Sequence, residues 1–173
     1  EMCIRDSFDP DQGDKFQSSS ALNAIKSGGL TGQGMGEGIL KDSVPKEFYV
    51  DKEAIKRWKE EKGGYTRTRT TKDGFSYDIS FGKMDLYDRL DEPSRTIITA
   101  EGGKSVSRMK HLIKTSSGKS RRLVPLELER LNMFPDDHTK LENVSNTKRA
   151  FLMGNALVVG VIKKLGDSLY NLS

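Results

Sequence analysis

The clearest periodic pattern of apolar positions lies near the carboxyl end of the chain. Leu157 begins a series of apolar residues at four-residue steps that ends at Leu169. Such a stripe on a helix packs against a larger surface. Gly154 and Asn155 precede it, and both residue types favour a tight turn with positive φ. The pattern predicts a helix, a sharp turn and a buried helix. These residues alone leave open a helical hairpin that closes a core and a turn that contacts a ligand.

Two segments in the first half of the chain alternate with period two. Threonines alternate with arginines over residues 65–71, and Phe75, Tyr77 and Ile79 form a second series after Asp73-Gly74. Period two with β-branched residues indicates strands, and Asp-Gly is typical of a hairpin turn. The arginines either contact phosphate or protect a solvated sheet edge from pairing, and the pattern leaves both interpretations open.

Capping residues predict the remaining helices. Asp51 caps a helix that ends at Gly63-Gly64, with Ile55 and Trp58 on one face and the charged residues, Lys62 among them, in solvent. A second helix begins at residue 125 without a capping side chain, and a third spans residues 146–153. Strands are predicted within residues 91–99 and 109–114, and loops over 82–90 and 116–120. A short helix and a glycine-rich loop are predicted over 20–38.

The segment between the two later strands, residues 100–108, combines a glycine pair with lysine, serine and arginine. A glycine pair lets the backbone approach a bulky partner, and these side chains suit phosphate oxygens and base edges. On composition alone, an ordinary polar hairpin loop is favoured.

Two motifs near the end of the chain resemble those of a known family. A segment from Arg121 to Glu127 leads into Phe134-Pro135-Asp136, and Gly154-Asn155-Ala156-Leu157 follows. In this order and spacing they resemble the closing motifs of the DNA (cytosine-5) methyltransferases, over residues 90–173 well and over the earlier part loosely. The matching positions are Arg121, Leu123, Pro125, Glu127, Arg130, Phe134, Pro135, Asp136, Gly154, Asn155, Ala156 and Leu157.

The resemblance implies an α+β fragment in two parts. A small β-rich target-recognition domain covers residues 8–118, and the carboxy-terminal helices of residues 119–173 complete an S-adenosylmethionine-dependent Rossmann-like methyltransferase domain. By match, Asn155, Ala156 and Leu157 contact S-adenosyl-L-methionine, and Arg121 and Glu127 bridge the two domains. The implied partner is double-stranded DNA. The implied DNA-binding residues are Arg95, Thr96, Ile97, Gly102, Gly103, Lys104, Ser105, Ser107, Arg108 and Lys110.

Composition and charge narrow the class of protein. The chain has 173 residues, 34% of them hydrophobic, and a net charge of +4, which suggests one or two small domains and a mild preference for anionic partners. One cysteine and two histidines predict neither a disulfide nor a metal site. The longest apolar run, residues 156–162, is too short to cross a membrane. These features favour an intracellular protein, and the resemblance implies a cytoplasmic one encoded by a bacterium, an archaeon or a phage.

Methylation of cytosine at C5 requires a thiolate that adds to C6 and an acid that acts on the ring. The family takes these groups from Pro-Cys and Glu-Asn-Val motifs. Here the one cysteine, Cys3, lies in residues 1–7, interpreted as a ragged or artefactual end, and Glu142-Asn143-Val144 follows the segment that it should precede. No catalytic residue is therefore predicted. The chain is expected to be inactive alone and to need an amino-terminal catalytic part, in cis or in trans.

The predicted function is target reading and completion of the methyl-donor site in a DNA (cytosine-5-)-methyltransferase of a restriction-modification system. The alternatives are a stand-alone DNA-binding module or a subunit of a split methyltransferase, and an RNA cytosine methyltransferase of the same superfamily. A purely structural helical module leaves the paired motifs unexplained.

Overall fold

Residues 38–170 are described by the computed structural model. The predicted ragged end, the short helix over 20–25 and most of the glycine-rich loop lie outside the described residues. A 3-10 turn at Lys46–Phe48 precedes the main elements. In chain order these are α1 (Lys52–Lys62), β1 (Tyr65–Thr70), β2 (Ser76–Phe81), β3 (Ile113–Lys114), β4 (Ser120–Arg121), α2 (Pro125–Leu131), α3 (Asn146–Asn155) and α4 (Val159–Tyr170).

Two helices have the capping side chains that the sequence predicts. The Asp51 carboxylate accepts a hydrogen bond from Ala54 N at 2.7 Å at the start of α1. The Ser145 hydroxyl accepts one from Lys148 N at 3.2 Å at the start of α3. Each cap satisfies a backbone N–H that has no partner within its own helix, so both helix starts are locally encoded.

Lys62, predicted to be solvated, is buried. It lies four residues after the buried Trp58, and residues at this spacing share a helix face. Its ammonium donates a hydrogen bond to Leu86 O at 2.9 Å and lies 5.3 Å from the centre of the Trp58 ring. The position of Lys62 on the buried face of α1 therefore decides its burial despite its charge, because the carbonyl of Leu86 accepts a hydrogen bond from it there.

Two antiparallel hairpins supply the β-structure. Strands β1 and β2 pair from Tyr65 opposite Phe81 to Thr70 opposite Ser76. Gly74 has a φ of +81° in the turn between them, which confirms the predicted hairpin. Strands β3 and β4 form a second, shorter hairpin. The strand predicted over residues 109–114 is thus only two residues long, and the predicted loop over 116–120 is the turn that leads into β4.

The strand predicted within residues 91–99 is not formed. Ile97 packs into the core, and the backbone of Ile98 and Thr99 lies against Gly154 of α3. The neighbour of this segment is therefore a helix. A helix uses its own backbone groups internally and offers none along its side, so no ladder of hydrogen bonds forms.

The hydrophobic core lies between this segment, the β3–β4 hairpin and helices α2 and α3. It draws on residues from both sides of position 118, so it joins the two predicted parts of the chain. Its buried members are Ile97, Ile113, Leu123, Leu128, Ala150 and Met153.

The carboxyl end differs from the prediction in two ways. Gly154 and Asn155 belong to the last turn of α3 and have no positive φ. Gly154 is required for close packing, because a Cβ there would lie 2.4 Å from Thr99 N. The predicted buried stripe is exposed: Leu157 is 68% and Leu169 70% accessible, and no residue of α4 is buried by the part of the chain that is described.

Candidate nucleic-acid interface

Two buried cations hold the loop of residues 100–110 from the inside. Lys110 Nζ donates hydrogen bonds to Gly103 O at 2.9 Å and to Ser105 O at 2.7 Å. Arg122 Nη1 donates to Gly102 O at 3.3 Å and to Gly103 O at 3.1 Å. Burial lowers the pKa of both cations. The carbonyl groups of the loop thus face the protein and are satisfied there.

Glu101 and His111 close the base of the loop, and both are buried. Glu101 Oε1 accepts a hydrogen bond from His111 N at 2.7 Å and lies 3.2 Å from His111 Nδ1. His111 Nε2 is 3.0 Å from Ser94 Oγ, a distance that suits a nucleophile and its base. However, the Ser94 hydroxyl donates a hydrogen bond to Arg95 O at 2.9 Å, so in this arrangement its O–H is not directed at the histidine. The cluster therefore anchors the loop.

Asp88 connects the loop to helix α1. Asp88 Oδ1 accepts a hydrogen bond from Arg95 Nε at 2.6 Å, and Oδ2 accepts one from Leu112 N at 2.8 Å and lies 3.7 Å from Lys62 Nζ. Burial opposes ionisation of Asp88, but the hydrogen bonds from Arg95 and Leu112 bring its pKa below the usual value. Arg95 also donates to Lys110 O at 3.1 Å. Its guanidinium is therefore engaged within the protein.

Lys62 allows a test of this buried charge cluster. Burial lowers its pKa from 10.5 to about 8, against the attraction of Asp88. Between these values the unfolded state binds more protons than the folded state, so the free energy of unfolding rises with pH. We expect Lys62→Met to remove up to about 3 kcal/mol of that rise. Urea unfolding at pH 7.5 and 10.5, followed by Trp58 fluorescence, measures it. Equal pH dependence in both proteins would contradict the expectation.

The predicted DNA-binding residues differ in exposure: some are buried or packed on α3, and others are half-buried or exposed, and these last two groups form the outer set. Ile97 and Lys110 are buried. Gly102 packs on α3, where a Cβ would lie 2.8 Å from Ala150 Cβ. The half-buried members are Arg95, Gly103, Ser107 and Arg108, and the exposed ones are Thr96, Lys104 and Ser105. Only the outer residues are placed to meet a partner directly, while the inner ones shape the loop.

The motif pair Arg121 and Glu127 forms a buried, two-pronged ion pair. Arg121 Nη1 lies 2.8 Å from Glu127 Oε2, and Nη2 lies 2.7 Å from Oε1. Glu127 also accepts hydrogen bonds from Lys41 N at 2.8 Å and Val124 N at 2.9 Å. Val124 provides no capping side chain, as predicted, and Glu127 instead reaches back to the start of α2. Sequence reasoning missed Lys41, which lies 86 residues away and carries no local signal.

Two more arginines brace the helices beside this pair. Arg149 of α3 donates to Glu129 Oε1 at 2.8 Å and to Asp137 Oδ1 at 3.0 Å, a link that the sequence analysis did not anticipate. Arg130 donates two hydrogen bonds to the motif residue Asp136, from Nε to Oδ1 at 2.7 Å and from Nη2 to Oδ2 at 2.6 Å. The ion pairs of the first motif therefore fix both ends of α2, and the pair of Arg149 and Glu129 joins α3 to α2.

The predicted cofactor residues lie together at the end of α3. Asn155 Nδ2 donates to Phe151 O at 3.1 Å, and Ala156 N donates to Met153 O at 3.3 Å. Leu157 is exposed and begins the apolar side of α4. Asn155 and Leu157 form an accessible edge on either side of Ala156, which is half-buried and packs against the core.

Among residues 38–170, no group of three or more acidic, histidine or cysteine side chains is arranged to hold a metal ion. In the same range no helix is long and apolar enough to span a membrane.

Comparison with known proteins identifies the class to which this fold and these motifs belong. The profile of the family described as C-5 cytosine-specific DNA methylase matches residues 15–171. The chain therefore belongs to the C-5 cytosine-specific DNA methylase family, and the predicted resemblance is confirmed.

A particular relative is the Type II methyltransferase M.Sau3AI of Staphylococcus aureus, which is 39% identical to this chain over 131 residues. The match covers 76% of this chain and 31% of M.Sau3AI, so the chain spans about a third of that relative's length. No solved structure matches.

Proposed function

We propose that the chain is the carboxy-terminal part of a DNA (cytosine-5-)-methyltransferase of a restriction-modification system. Residues 8–118 read the DNA target, and residues 119–173 complete a Rossmann-like catalytic domain supplied in cis or in trans. Membership of the family and the partial coverage of M.Sau3AI support this proposal. The enzyme would act on cellular DNA, in the cytoplasm.

The observation that carries the proposal is the exposed apolar side of α4, directly after the second motif. Large apolar side chains contiguous on a surface mark an interaction site. Here they continue from the edge formed by residues 155–157, so a catalytic part that covers α4 would also bring its methyl-donor site to that edge. The exposed apolar residues are Leu157, Val161, Ile162, Leu165 and Leu169.

S-adenosyl-L-methionine would supply the methyl group when bound. Asn155, Ala156 and Leu157 would form one wall of its site, since they are consecutive, Asn155 and Leu157 are exposed and Ala156 is half-buried between them. The ion pair of Arg121 and Glu127 lies within residues 119–173 and would hold the recognition part through Lys41, whose N–H donates to Glu127 at 2.8 Å and whose carbonyl accepts from Arg121 at 3.3 Å.

The 100–110 loop would meet DNA with its outer residues. Thr96, Lys104 and Ser105 face solvent, and Ser107 and Arg108 are partly accessible. Lys110 and Arg95 would act indirectly, by holding the loop in shape. Such a division suits base readout, which requires a rigid scaffold behind the contacting side chains.

We expect the purified chain to bind duplex DNA weakly and to transfer no methyl group, because it lacks the family's catalytic cysteine motif. Tritium transfer from labelled S-adenosyl-L-methionine to duplex DNA measures the activity, and fluorescence anisotropy measures the binding. Turnover by the pure chain would contradict the missing-part proposal. Stronger competition by RNA than by duplex DNA of equal length would favour the RNA methyltransferase instead.

A further inference from the structure

The β1–β2 hairpin has one face that combines arginines with aromatic rings. Directly opposite residues of an antiparallel pair point to the same side. The register places Arg67 opposite Ile79 and Arg69 opposite Tyr77. Phe75 follows at the tip, with its ring stacked on Tyr77 at a centroid distance of 6.2 Å. The arginine–aromatic face consists of Tyr65, Arg67, Arg69, Phe75, Tyr77, Ile79 and Phe81.

The opposite face of the hairpin carries uncharged and acidic side chains, and these form hydrogen bonds with one another. Thr68 Oγ1 donates to Asp78 Oδ1 at 2.6 Å, and the hydroxyl oxygens of Thr70 and Ser76 are 2.8 Å apart. The two faces therefore differ in charge, and only the arginine–aromatic face attracts an anion.

Arg108 joins this face to the 100–110 loop. Its guanidinium lies 5.7 Å from the Tyr65 ring centre and 4.9 Å from that of Phe81, and Nη2 donates to Gly82 O at 2.7 Å. The base of the hairpin is thus held against the loop. The guanidinium of Arg67 also lies 5.6 Å from the centre of the Tyr65 ring, so an arginine of the loop and one of the hairpin share that ring.

The tip of the hairpin lacks a partner among the described residues. Phe75 is 66% and Tyr77 41% exposed. Within residues 38–170, neither Arg67 nor Arg69 forms an ion pair with a carboxylate. A two-stranded hairpin with one apolar face is marginally stable in water. The arginines and the exposed rings together suit a partner that is anionic and also offers apolar or π surfaces.

We propose that the arginine–aromatic face is a second DNA contact, beside the one made by the 100–110 loop. Duplex DNA supplies phosphates for Arg67 and Arg69, and sugars or base edges for Phe75 and Tyr77. A two-stranded ribbon fits the major groove, and six-residue strands reach about 20 Å. This inference rests on the proposed function and adds a contact that the motifs do not indicate.

The salt dependence of DNA binding tests the hairpin contact. We compare the Arg67→Gln/Arg69→Gln variant with Lys56→Gln/Arg57→Gln, which removes two exposed cations from α1. Each phosphate contact contributes about 0.9 to the slope of log affinity against log salt concentration. The hairpin variant is expected to reduce the slope by about 2 and the affinity at low salt by roughly tenfold, while the control leaves both nearly unchanged. Anisotropy of a labelled duplex between 20 and about 150 mM salt measures both.

The apolar part of the contact has its own variant. Phe75→Ala/Tyr77→Ala is expected to weaken binding several-fold at every salt concentration and to leave the slope unchanged, because neither ring carries charge. Trp58 fluorescence verifies that the part of the chain around α1 is folded in every variant, and far-ultraviolet circular dichroism verifies that the β-structure of the hairpin is retained.

Two other results of the DNA-binding experiment would contradict the hairpin inference, and they differ in what they say about the proposed function. If the wild-type chain binds duplex DNA and both charge variants have the wild-type slope, the hairpin inference is wrong, the proposed function stands, and the face is assigned to a protein partner. If the wild-type chain does not bind DNA, both proposals fail.

Discussion

Replacement of Glu127 by alanine is expected to lower the free energy of unfolding by about 3–5 kcal/mol. Glu127 is fully buried, and its two oxygens accept hydrogen bonds from Arg121, Lys41 N and Val124 N. Removal of the carboxylate leaves the Arg121 guanidinium buried without its counter-charge and leaves two backbone donors unpaired. Because small domains are stable by only about 5–15 kcal/mol, this loss is a large share of the total stability. Urea unfolding measures the loss.

The matched control is Asp136→Asn, in the same family motif. Asp136 contacts Arg130 with equally short distances, but its side chain is 43% exposed. Solvent screens such a pair, so the expected loss is about 1 kcal/mol or less. A double variant, Arg121→Met/Glu127→Met, removes both charges and should recover much of the stability lost by Glu127→Ala. A loss for Glu127→Ala no larger than that for Asp136→Asn would refute the structural role of the pair.

Gly154→Ala is expected to destabilise the protein by about 3 kcal/mol. The new Cβ would lie 2.4 Å from Thr99 N and 2.5 Å from Ile98 C. These are backbone atoms, which no side-chain rotation relieves, so α3 must move away from the core. Thermal unfolding measures the effect. Because Gly154 precedes the predicted cofactor residues, the same displacement would move Asn155 and Ala156.

Gly166→Ala in α4 is the control for Gly154→Ala. A Cβ at Gly166 meets nothing within 4 Å among the described residues. Alanine is favoured over glycine in a helix by about 1 kcal/mol, so this substitution should be neutral or stabilising. Equal effects of the two substitutions would show that helix propensity, and not close packing, governs both positions.

Local signals in the sequence predicted much of the secondary structure. The caps at Asp51 and Ser145 and the Asp-Gly turn of the first hairpin are formed as expected. The two closing motifs also identified the family, which the comparisons confirm. The caps and the turn depend on residues a few positions apart, and the family assignment depends on the order and spacing of two sequence motifs. A single sequence is therefore sufficient to recognise these features.

Only the tertiary structure shows which groups several of the predicted residues contact. Gly154 was interpreted as a turn and is a packing position, and Lys62 was assigned to solvent but is buried. Lys110, a predicted DNA-binding residue, is buried and holds the loop through carbonyl groups, and its role toward DNA stays a prediction. In each case the group that the residue contacts is remote along the chain or is a backbone atom. Such a contact produces no periodic or local pattern in the sequence. Sequence determined the helices, the first hairpin and the family, whereas the later strands, burial and partners depend on how distant segments pack in three dimensions.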